Sequence, residues 1–421
     1  MHPVFTTASL SRPVEPSIAA LAAAVAVLVF IASWAVIHRG FYARDEIVDT
    51  PVYERYGRAM DEGKVPYRDF ALEYPPGALP VFLLPARGEP DFDGFTRRFE
   101  ALMAACGAML IGFVAVALTA LGAGLRRLAA ALGFVALAPL LLGSVVLSRF
   151  DLWPATLTLA ALAALLAGRL RIGHGVLGLA VAAKLYPAVL MPIAVAYAWK
   201  REGRREALRC AGTFAGAAAL VFLPFLILSP GGVWDSVTRQ ASRPLQIESI
   251  GSALLLAAHQ AFGLDITMDS SHGSQNLEGA LPDALAVAQS ASQALVLVAV
   301  WAVFARGPAE PERLVLASAA ALTAFVALGK VLSPQFLIWL VPLVPLVRGR
   351  RGLVASGLLA FAMALTQLWF PYRYWDLALR FDEVASWLVL VRDLVLLALL
   401  ALLGRALIDR NADRPASSRP A

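Results

Sequence analysis

The polar chemistry of this chain is concentrated in residues 44–80, directly after the first long apolar run. Carboxylates, cations and aromatic side chains are interleaved there, in a sequence that is otherwise mostly apolar. Asp49 and Tyr53 are four residues apart, so they share a face if the segment is helical. A carboxylate held rigidly beside a membrane span could accept a proton from a hydroxyl nucleophile, which is the task of a general base.

The same spacing has a purely structural interpretation. Asp49 or Thr50 can cap a helix whose first turn contains Pro51. The helix would then be an amphipathic juxtamembrane element, with Tyr53, Tyr56 and Met60 on its membrane-facing side. The spacing alone leaves both interpretations open.

The second half of the stretch, residues 65–77, is not predicted to be helical. Pro75 and Pro76 impose an extended backbone before the following segment. Arg68 and Asp69 form either a surface ion pair of little energetic consequence or part of a site for a polar ligand.

The composition indicates how these residues must be positioned. The 421 residues are 59% hydrophobic and 16% charged, whereas soluble domains are about 45–50% apolar and about 25% charged. Apolar runs of about 18 residues or more recur, and a bilayer requires spanning backbone to be hydrogen-bonded within helices. We therefore expect an all-α polytopic membrane protein. The net charge of +6 reflects Arg clusters between apolar runs, so no nucleic-acid partner is expected.

Basic clusters predict which loops are cytoplasmic. They lie at 126–127, 169–171, 200–205, 348–351 and from 405 onward, which places 38–98, 148–151, 229–282 and 370–382 on the exoplasmic side. Roughly twelve spans follow, with both termini cytoplasmic. They are expected near 17–37, 101–124, 128–147, 152–168, two short helices within 172–199 that meet at Lys184–Pro187, 206–228, 283–304, 313–330, 334–347, 352–370 and 384–404. Whether residues 75–88 also cross is left open.

The predicted organisation is a single transmembrane domain, 17–410, between a cytoplasmic tail, 1–16, and a disordered cytoplasmic tail, 411–421. Its large exoplasmic loops are 38–98, the expected catalytic loop, and 229–282. Within the second loop, Ala253–Phe262 is predicted to be a short interfacial or re-entrant helix. Cys106 and Cys210 are interpreted as small core residues, not as a disulfide or metal pair.

A series of short motifs occurs in order along the chain. Asp49-x-x-x-Tyr53 comes first, followed by segments Gly63–Gly77, Ser148–Ala155, Ala182–Pro187, Arg243–Ser249 and Ser333–Trp339. This ordered set resembles the C-type (GT-C) membrane glycosyltransferases. It is most similar to glycosyltransferase family 87, the polyprenol-phosphate-mannose-dependent α-mannosyltransferase group. The set covers most of the chain and is more specific than any one motif.

The resemblance implies a GT-C-type bundle of roughly twelve transmembrane helices, with juxtamembrane helices in a large first exoplasmic loop. It implies transfer of a sugar, by family analogy mannose, from a polyprenyl-phosphate donor to a hydroxyl of a glycolipid or cell-envelope glycan. The reaction would take place at the exoplasmic face of the plasma membrane, with inversion at the anomeric carbon. Asp49 matches the family's catalytic aspartate, so its implied role is general base.

Further polar residues in the motifs are implied substrate ligands. They are Tyr53, Arg68, Asp69, Glu73, Tyr74, Arg149, Asp151, Lys184, Tyr186, Arg243, Gln246, Glu248 and Gln335. Related aminoarabinose and protein-mannosyl transferases carry a basic residue where this chain has Tyr74. The cation that binds phosphate must therefore come from elsewhere, and the candidates are Lys184, Arg149, Arg68 and Arg243.

Structural alternatives remain for several of these residues. Lys184 is either a snorkelling helix-end cation or a ligand. Asp151 is an ion-pair partner of Arg149, a helix cap or a ligand, and Glu248 is a solvated loop charge or a ligand. Carboxylates near Asp49 could bind a divalent cation, but nothing in the sequence requires one, and neither a metal nor another cofactor is predicted.

Two other functional classes are consistent with a polytopic chain. A transporter or lipid flippase predicts ionisable residues near the middle of spans, and few are apparent, because charges mostly lie at span ends and in loops. A non-catalytic lipid-binding or assembly subunit would tolerate alanine at Asp49.

Overall fold

A computed structural model describes residues 13–43 and 47–409. The described part begins with a long apolar helix followed by a polar loop and several helices of mixed length. These are α1 (Pro16–Val36), α2 (Thr50–Asp61), α3 (Leu79–Ala86), α4 (Phe92–Ala120), α5 (Leu125–Leu142) and α6 (Val145–Ser148). Helix α1 packs against α4 and α5. The ring of Phe30 occupies the space that a side chain at Gly107 would need, so the two helices approach closely, as small residues permit in membranes.

The middle of the chain contributes α7 (Leu152–Leu166), α8 (Leu170–Ala183), α9 (Met191–Leu228), α10 (Pro230–Ala241) and α11 (Ile250–Phe262). Helix α8 ends where Lys184 is extended, and a 3₁₀ turn, Tyr186–Leu190, leads into α9. The predicted break at Lys184–Pro187 is therefore confirmed. Helix α9 bends at Gly203, whose φ of 82° and ψ of 174° interrupt the helical backbone.

The remaining helices are α12 (Ala280–Arg306), α13 (Pro311–Ala327), α14 (Leu337–Leu340), α15 (Gly349–Trp369), α16 (Tyr374–Arg380) and α17 (Glu383–Ile408). Helix α17 packs against α15, α13 and α11. The last span is thus in contact with the helix formed by the second large loop.

Seven helices in the described chain are long and apolar enough to cross a membrane. They are Pro16–Val36, Phe92–Ala120, Leu125–Leu142, Tyr186–Leu228, Ala280–Arg306, Gly349–Trp369 and Glu383–Ile408. Shorter helices occupy the other predicted spans, and the polytopic helical architecture is confirmed. Helix α3 has eight residues, about 12 Å at about 1.5 Å per residue. It is too short to cross, which answers the question about residues 75–88.

The second large loop also contains a small antiparallel sheet, which the all-α prediction omitted. Its strands are β1 (Leu245–Gln246), β2 (Thr267–Ser271) and β3 (Ser274–Glu278), in the order β1-β3-β2. The β2–β3 hairpin turns at His272 and Gly273, whose φ angles are 54° and 68°. A two-residue turn with both φ angles positive suits the twist of a hairpin. The helix predicted at Ala253–Phe262 is confirmed as part of α11.

The aromatic face of α2 does not point in the direction that the juxtamembrane interpretation predicted. Tyr53 and Tyr56 are buried inside the protein, because α3 and α4 cover this side. The idea of a membrane-facing aromatic side is therefore wrong for these two residues. Cys106 and Cys210 are buried free thiols, as expected for core residues.

Candidate functional site

Asp49 lies directly before α2, with its carboxylate held by two neighbours. Tyr53 donates its phenol hydrogen to Oδ2 at 3.2 Å, and the guanidinium of Arg149 forms an ion pair with Oδ1. The side chain makes no capping hydrogen bond with the helix, so the structure does not support the cap interpretation. Because 32% of the Asp49 side chain is exposed, a substrate hydroxyl can reach it.

Arg149 comes from the turn between α6 and α7. Only 7% of its side chain is exposed. Besides the Asp49 carboxylate, it contacts the carbonyl of Ile47, with Nη2 donating at 3.4 Å. Arg149 therefore fixes both the backbone before α2 and the carboxylate at its start.

Tyr53 is fixed by a cluster of aromatic rings. It stacks on Phe82 with centroids 4.7 Å apart, and it meets Phe150 and Tyr74 edge-on at 5.7 and 5.9 Å. Burial raises the pKa of Tyr53 well above its usual value. The phenol consequently remains a neutral hydrogen-bond donor to Asp49 across the physiological pH range.

Lys184 belongs to a second, neighbouring ion pair. Its Nζ donates to Asp151 Oδ1 at 2.6 Å, and Trp339 Nε1 donates to the same oxygen at 2.6 Å. The ammonium also lies over the rings of Phe150 and Trp339, 4.7 and 5.2 Å from their centroids. Lys184 is therefore held inside the protein instead of snorkelling freely.

The partner of Asp151 is thus Lys184, and the alternative ion pair with Arg149 does not form. Asp151 makes no helix-capping hydrogen bond either. Tyr186 completes this cluster by stacking on Trp339 with centroids 4.0 Å apart, and its hydroxyl pairs with Thr158 at 3.1 Å. These contacts join the start of α7, the end of α8 and α14.

Arg243 is the exception among the candidate phosphate-binding cations. Among the described residues it has neither a hydrogen bond nor a carboxylate within 4 Å, and its buried Nε is unpartnered. Burial lowers the pKa of Arg243, although the charges of Glu73 and Glu248 oppose this effect. The guanidinium is thus half-buried, with an enclosed Nε that has no hydrogen-bond partner in the described chain, which favours an anionic ligand.

Glu73 is close enough to these cations to respond to them. Burial raises its pKa, while the charges of Arg243 and Lys184 act in the opposite direction and Asp49 adds to the rise. The second half of the first loop therefore contributes a carboxyl group to the same electrostatic environment as Asp49.

Glu248 is buried, with 1% of the residue exposed, so the solvated-charge interpretation is wrong. Gln246 donates from Nε2 to the Glu248 carboxylate and to Ser333 Oγ, the latter at 3.0 Å. Burial raises the pKa of Glu248 to about 8, against the charges of Arg392, Arg243 and Arg149. The loop segment that follows Arg243 is thus inserted into the helical bundle.

Of the predicted ligands, Tyr53 and Arg149 contact the Asp49 carboxylate. Arg68, Asp69 and Gln335 lie outside the clusters described above. Arg68 donates from Nε and Nη2 to the two oxygens of Asp69, at 2.9 and 3.0 Å, and Asp69 also accepts from the Val65 amide at 2.7 Å. This arrangement is the exposed ion pair that the sequence allowed. Gln335 is half-buried in the turn beside Ser333. The acidic residues 45 and 46 lie outside the described residues.

Sequence reasoning missed two ionisable residues inside a span. Arg392 and Asp393 of α17 are both fully buried and form an ion pair of 2.7 Å between Nε and Oδ1. The sequence signal that could have revealed them is a charged dipeptide in the middle of an apolar run. The expectation that charges are mostly confined to span ends and loops does not hold for this helix.

The polytopic bundle and its carboxylates and cations are consistent with a membrane glycosyltransferase, and the comparison of sequences identifies the family. The profile of glycosyltransferase family 87 matches residues 72–334, more than half of the chain. The chain belongs to glycosyltransferase family 87. No curated protein sequence matched significantly. Among solved structures, the apo crystal structure of ArnT from Cupriavidus metallidurans is similar, with 14% identity, coverage of 91% of this chain and 77% of that chain, and a TM-score of 0.46.

Proposed function

We propose that this glycosyltransferase moves a sugar, by family analogy mannose, from a polyprenyl-phosphate donor to a hydroxyl of a glycolipid or cell-envelope glycan. The reaction occurs at the exoplasmic face of the plasma membrane, with Asp49 as general base. The observation that carries this proposal is the Asp49 carboxylate, which is partly exposed and held by Arg149 and Tyr53. Such fixation supplies the orientation that proton transfer in a transition state requires.

In this mechanism the acceptor oxygen attacks the anomeric carbon of the donor while its proton passes to Asp49. The bond between the anomeric carbon and the phosphate oxygen breaks, and its electron pair leaves with the polyprenyl phosphate. Direct in-line attack inverts the anomeric configuration, so a β-linked donor gives an α-linked product. Arg149 and Tyr53 orient the carboxylate and do not themselves take the proton.

Arg243 is the residue to which we assign the donor phosphate. Arg149 is paired with Asp49, Lys184 with Asp151 and Arg68 with Asp69, whereas Arg243 has no such partner among the described residues. A guanidinium can bind two phosphate oxygens at once and stabilise the charge that develops on the leaving group. Lys184 lies nearby as a second positive charge, already oriented by Asp151.

An apolar cleft beside Glu73 encloses only about 10 Å³, which is room for about one water molecule. Its lining includes Tyr67, Pro76, Leu185 and Phe222, and Leu185 directly follows Lys184 in the chain. In this conformation the cleft is too small for a polyprenyl chain, so it does not by itself indicate a lipid-linked donor.

The alternative function, a transporter or lipid flippase, is favoured by one observation, the buried Arg392–Asp393 pair. Intramembrane charges often mark a transport path. In this chain, however, Arg392 also donates to the backbone carbonyl of Glu248 at 2.7 Å. The contact ties the pair to a loop, which a path for a translocated molecule would not require.

The test is transfer of labelled mannose from polyprenyl-phosphomannose into a broad acceptor extract, by wild type, Asp49→Asn and Asp69→Asn in the same nanodiscs. Asparagine keeps the size of the side chain but removes the base. We expect Asp49→Asn to lose roughly 10²- to 10⁴-fold in rate while it still binds the donor. Asp69→Asn, at the exposed ion pair, serves as the matched control and should retain most activity.

Equal rates for wild type and Asp49→Asn would refute the assignment of the base. If wild type transferred sugar from none of a panel of polyprenyl-phosphate sugars, the enzymatic proposal would fail and the transporter alternative would become the better explanation.

A further inference from the structure

The feature that the proposed mechanism does not use is the buried charge pair of α17. Arg392 lies nine residues beyond Glu383, the first residue of the helix, which corresponds to about 14 Å along its axis. Neither Arg392 nor Asp393 has any exposed surface. Removing two charges from water is costly, and their mutual attraction repays this cost only partly unless further contacts are made.

Arg392 makes two such contacts. Its Nη2 donates to the backbone carbonyl of Glu248 at 2.7 Å, and its guanidinium carbon lies 5.6 Å from the centroid of the Trp369 ring. Asp393 pairs with Nε, so different nitrogens of the guanidinium contact the carboxylate and the carbonyl. The ion pair thus presents one fixed hydrogen-bond donor, Nη2, to a loop that comes from a distant part of the sequence.

The loop segment that accepts the hydrogen bond from Arg392 is buried throughout. Residues 245–249 are each at most 3% exposed, although they belong to no helix. Their backbone is held by hydrogen bonds from Gln246 N to Lys330 O and from Ile247 N to Gln275 O, both 3.0 Å long. Non-helical backbone inside a membrane protein is tolerated only where protein or a cavity satisfies its polar groups. Arg392 satisfies the Glu248 carbonyl.

The same segment begins two residues after Arg243 and contains the side chains of Gln246 and Glu248. Its depth in the bundle therefore determines where the guanidinium of Arg243 lies. We infer that Arg392, oriented by Asp393, is a positioning residue for the donor site, because it anchors the segment that carries Arg243. This inference rests on the proposed function, in which Arg243 binds the donor phosphate.

The test is the double substitution Arg392→Met/Asp393→Leu. It removes both charges together and so leaves no uncompensated charge behind. We expect the variant to fold with a Tm close to that of wild type, and to show a KM for the polyprenyl-phosphate sugar raised at least tenfold. The change in kcat should be smaller, since Asp49 is held by α2 and Arg149 instead. Backbone hydrogen exchange within 245–252 should become at least tenfold faster, without a comparable change in α5.

The chain contains a matched control at the opposite, predicted cytoplasmic end. Arg127 donates to Glu312 at 2.6 and 2.8 Å and also to the carbonyl of Leu346. It therefore has the same combination of a carboxylate and a backbone carbonyl, far from the candidate site in the predicted topology. By the same argument, Arg127→Met/Glu312→Leu is expected to leave the Tm close to that of wild type, and it should change neither the KM for the donor nor the exchange of 245–252.

A folded Arg392→Met/Asp393→Leu variant with wild-type KM, kcat and exchange would overturn the inference. If that variant does not fold, Arg392→Lys decides the question. Lysine keeps the charge, but one ammonium cannot occupy both the Nε and Nη2 positions. A wild-type KM and wild-type exchange in Arg392→Lys would refute the anchoring role. If wild type itself transfers no sugar, the proposed function fails, and exchange at 245–252 still tests the anchor independently.

Discussion

At the scale of single residues, the candidate site separates cations that already have partners from one that does not. Arg149 and Lys184 are each paired with a carboxylate, at Asp49 and Asp151. Their charges are therefore partly neutralised before any substrate arrives. Arg243 is half-buried without such a partner in the described chain, which makes it the side chain whose removal should most directly affect anion binding.

We predict that Arg243→Met raises the KM for the polyprenyl-phosphate donor by about 10- to 100-fold, as expected for a charged hydrogen bond worth about 1.5–3 kcal/mol. Methionine retains much of the apolar stem. Steady-state kinetics with varied donor provide the measurement. Arg68→Met, which removes a guanidinium from the exposed pair, is the control. A similar KM for both variants would contradict the assignment of the phosphate to Arg243.

Glu248 gives a prediction about pH. Its pKa is raised to about 8 from a usual value of 4.5, chiefly by burial. The folded protein therefore binds this proton more tightly than the unfolded chain does. The contribution to stability is complete below about pH 4.5 and is lost as the pH rises to about 8. The charged groups that act on this carboxyl are Arg392, Arg243, Arg149 and Asp393.

Glu248→Gln mimics the protonated acid at every pH. Measured from pH 5 to pH 9, its Tm should rise relative to that of wild type as the pH increases, with most of the change complete near pH 8.5. Glu202→Gln, at an exposed position, should follow wild type throughout. Parallel curves for wild type and Glu248→Gln would show that this carboxyl does not titrate in that range.

At the scale of secondary-structure elements, the position of Asp49 depends on how α2 packs. Gly57 of α2 lies against α3, and a Cβ there would overlap the carbonyl oxygen of Phe82 and the side chain of Ala86. Only glycine allows the two helices to approach this closely. Because Asp49 immediately precedes α2, a displacement of the helix moves the carboxylate as well.

Gly57→Ala should therefore destabilise the protein by about 1–3 kcal/mol, as overpacking does, and should also lower the rate of sugar transfer per folded molecule. Thermal unfolding and transfer assays on the same preparations provide the measurement. Gly112→Ala in α4 is the matched control, since a Cβ there meets nothing within 4 Å, and alanine favours helix by about 1 kcal/mol. If the two variants behaved alike, α2 would not be packed on α3 as described.

The elements also show where sequence reasoning succeeds. Spans and the break at Lys184 could be predicted because hydropathy, proline and charge act over a few residues. The partners of Asp49 and Asp151 depend on contacts such as Arg149 and Trp339, which lie far away in the chain, and no local pattern specifies them. The sheet was missed because its strands are short and polar, and the burial of Glu248 was missed because it depends on a helix that follows much later.

At the scale of the whole molecule, the predicted membrane topology can be tested by labelling introduced cysteines. Both native cysteines are buried, so labelling of introduced cysteines has little background. Asp235 of α10 and Arg204, next to the bend in α9, are exposed and are predicted on opposite sides of the membrane. Asp235→Cys should react with a membrane-impermeant maleimide on intact cells, and Arg204→Cys only after permeabilisation.

The reverse labelling pattern would mean that the first loop and Asp49 face the cytoplasm. A lipid-linked donor would then lose its main rationale, because nucleotide sugars are available on that side. Labelling of neither position before permeabilisation would place the protein in an internal membrane or show that α10 is inaccessible.

The contact between Arg392 and Glu248 also has a consequence for how each molecule is made. The two residues are 144 positions apart, and α17 is the last helix of the described chain. At synthesis rates of about 5–20 residues per second, Arg392 is added roughly 7–29 s after Glu248. During that interval the first loop with the proposed base Asp49 is already present, but the proposed anchor Arg392 has not yet been synthesised. A newly made chain can therefore complete the proposed donor site only after α17 has been inserted.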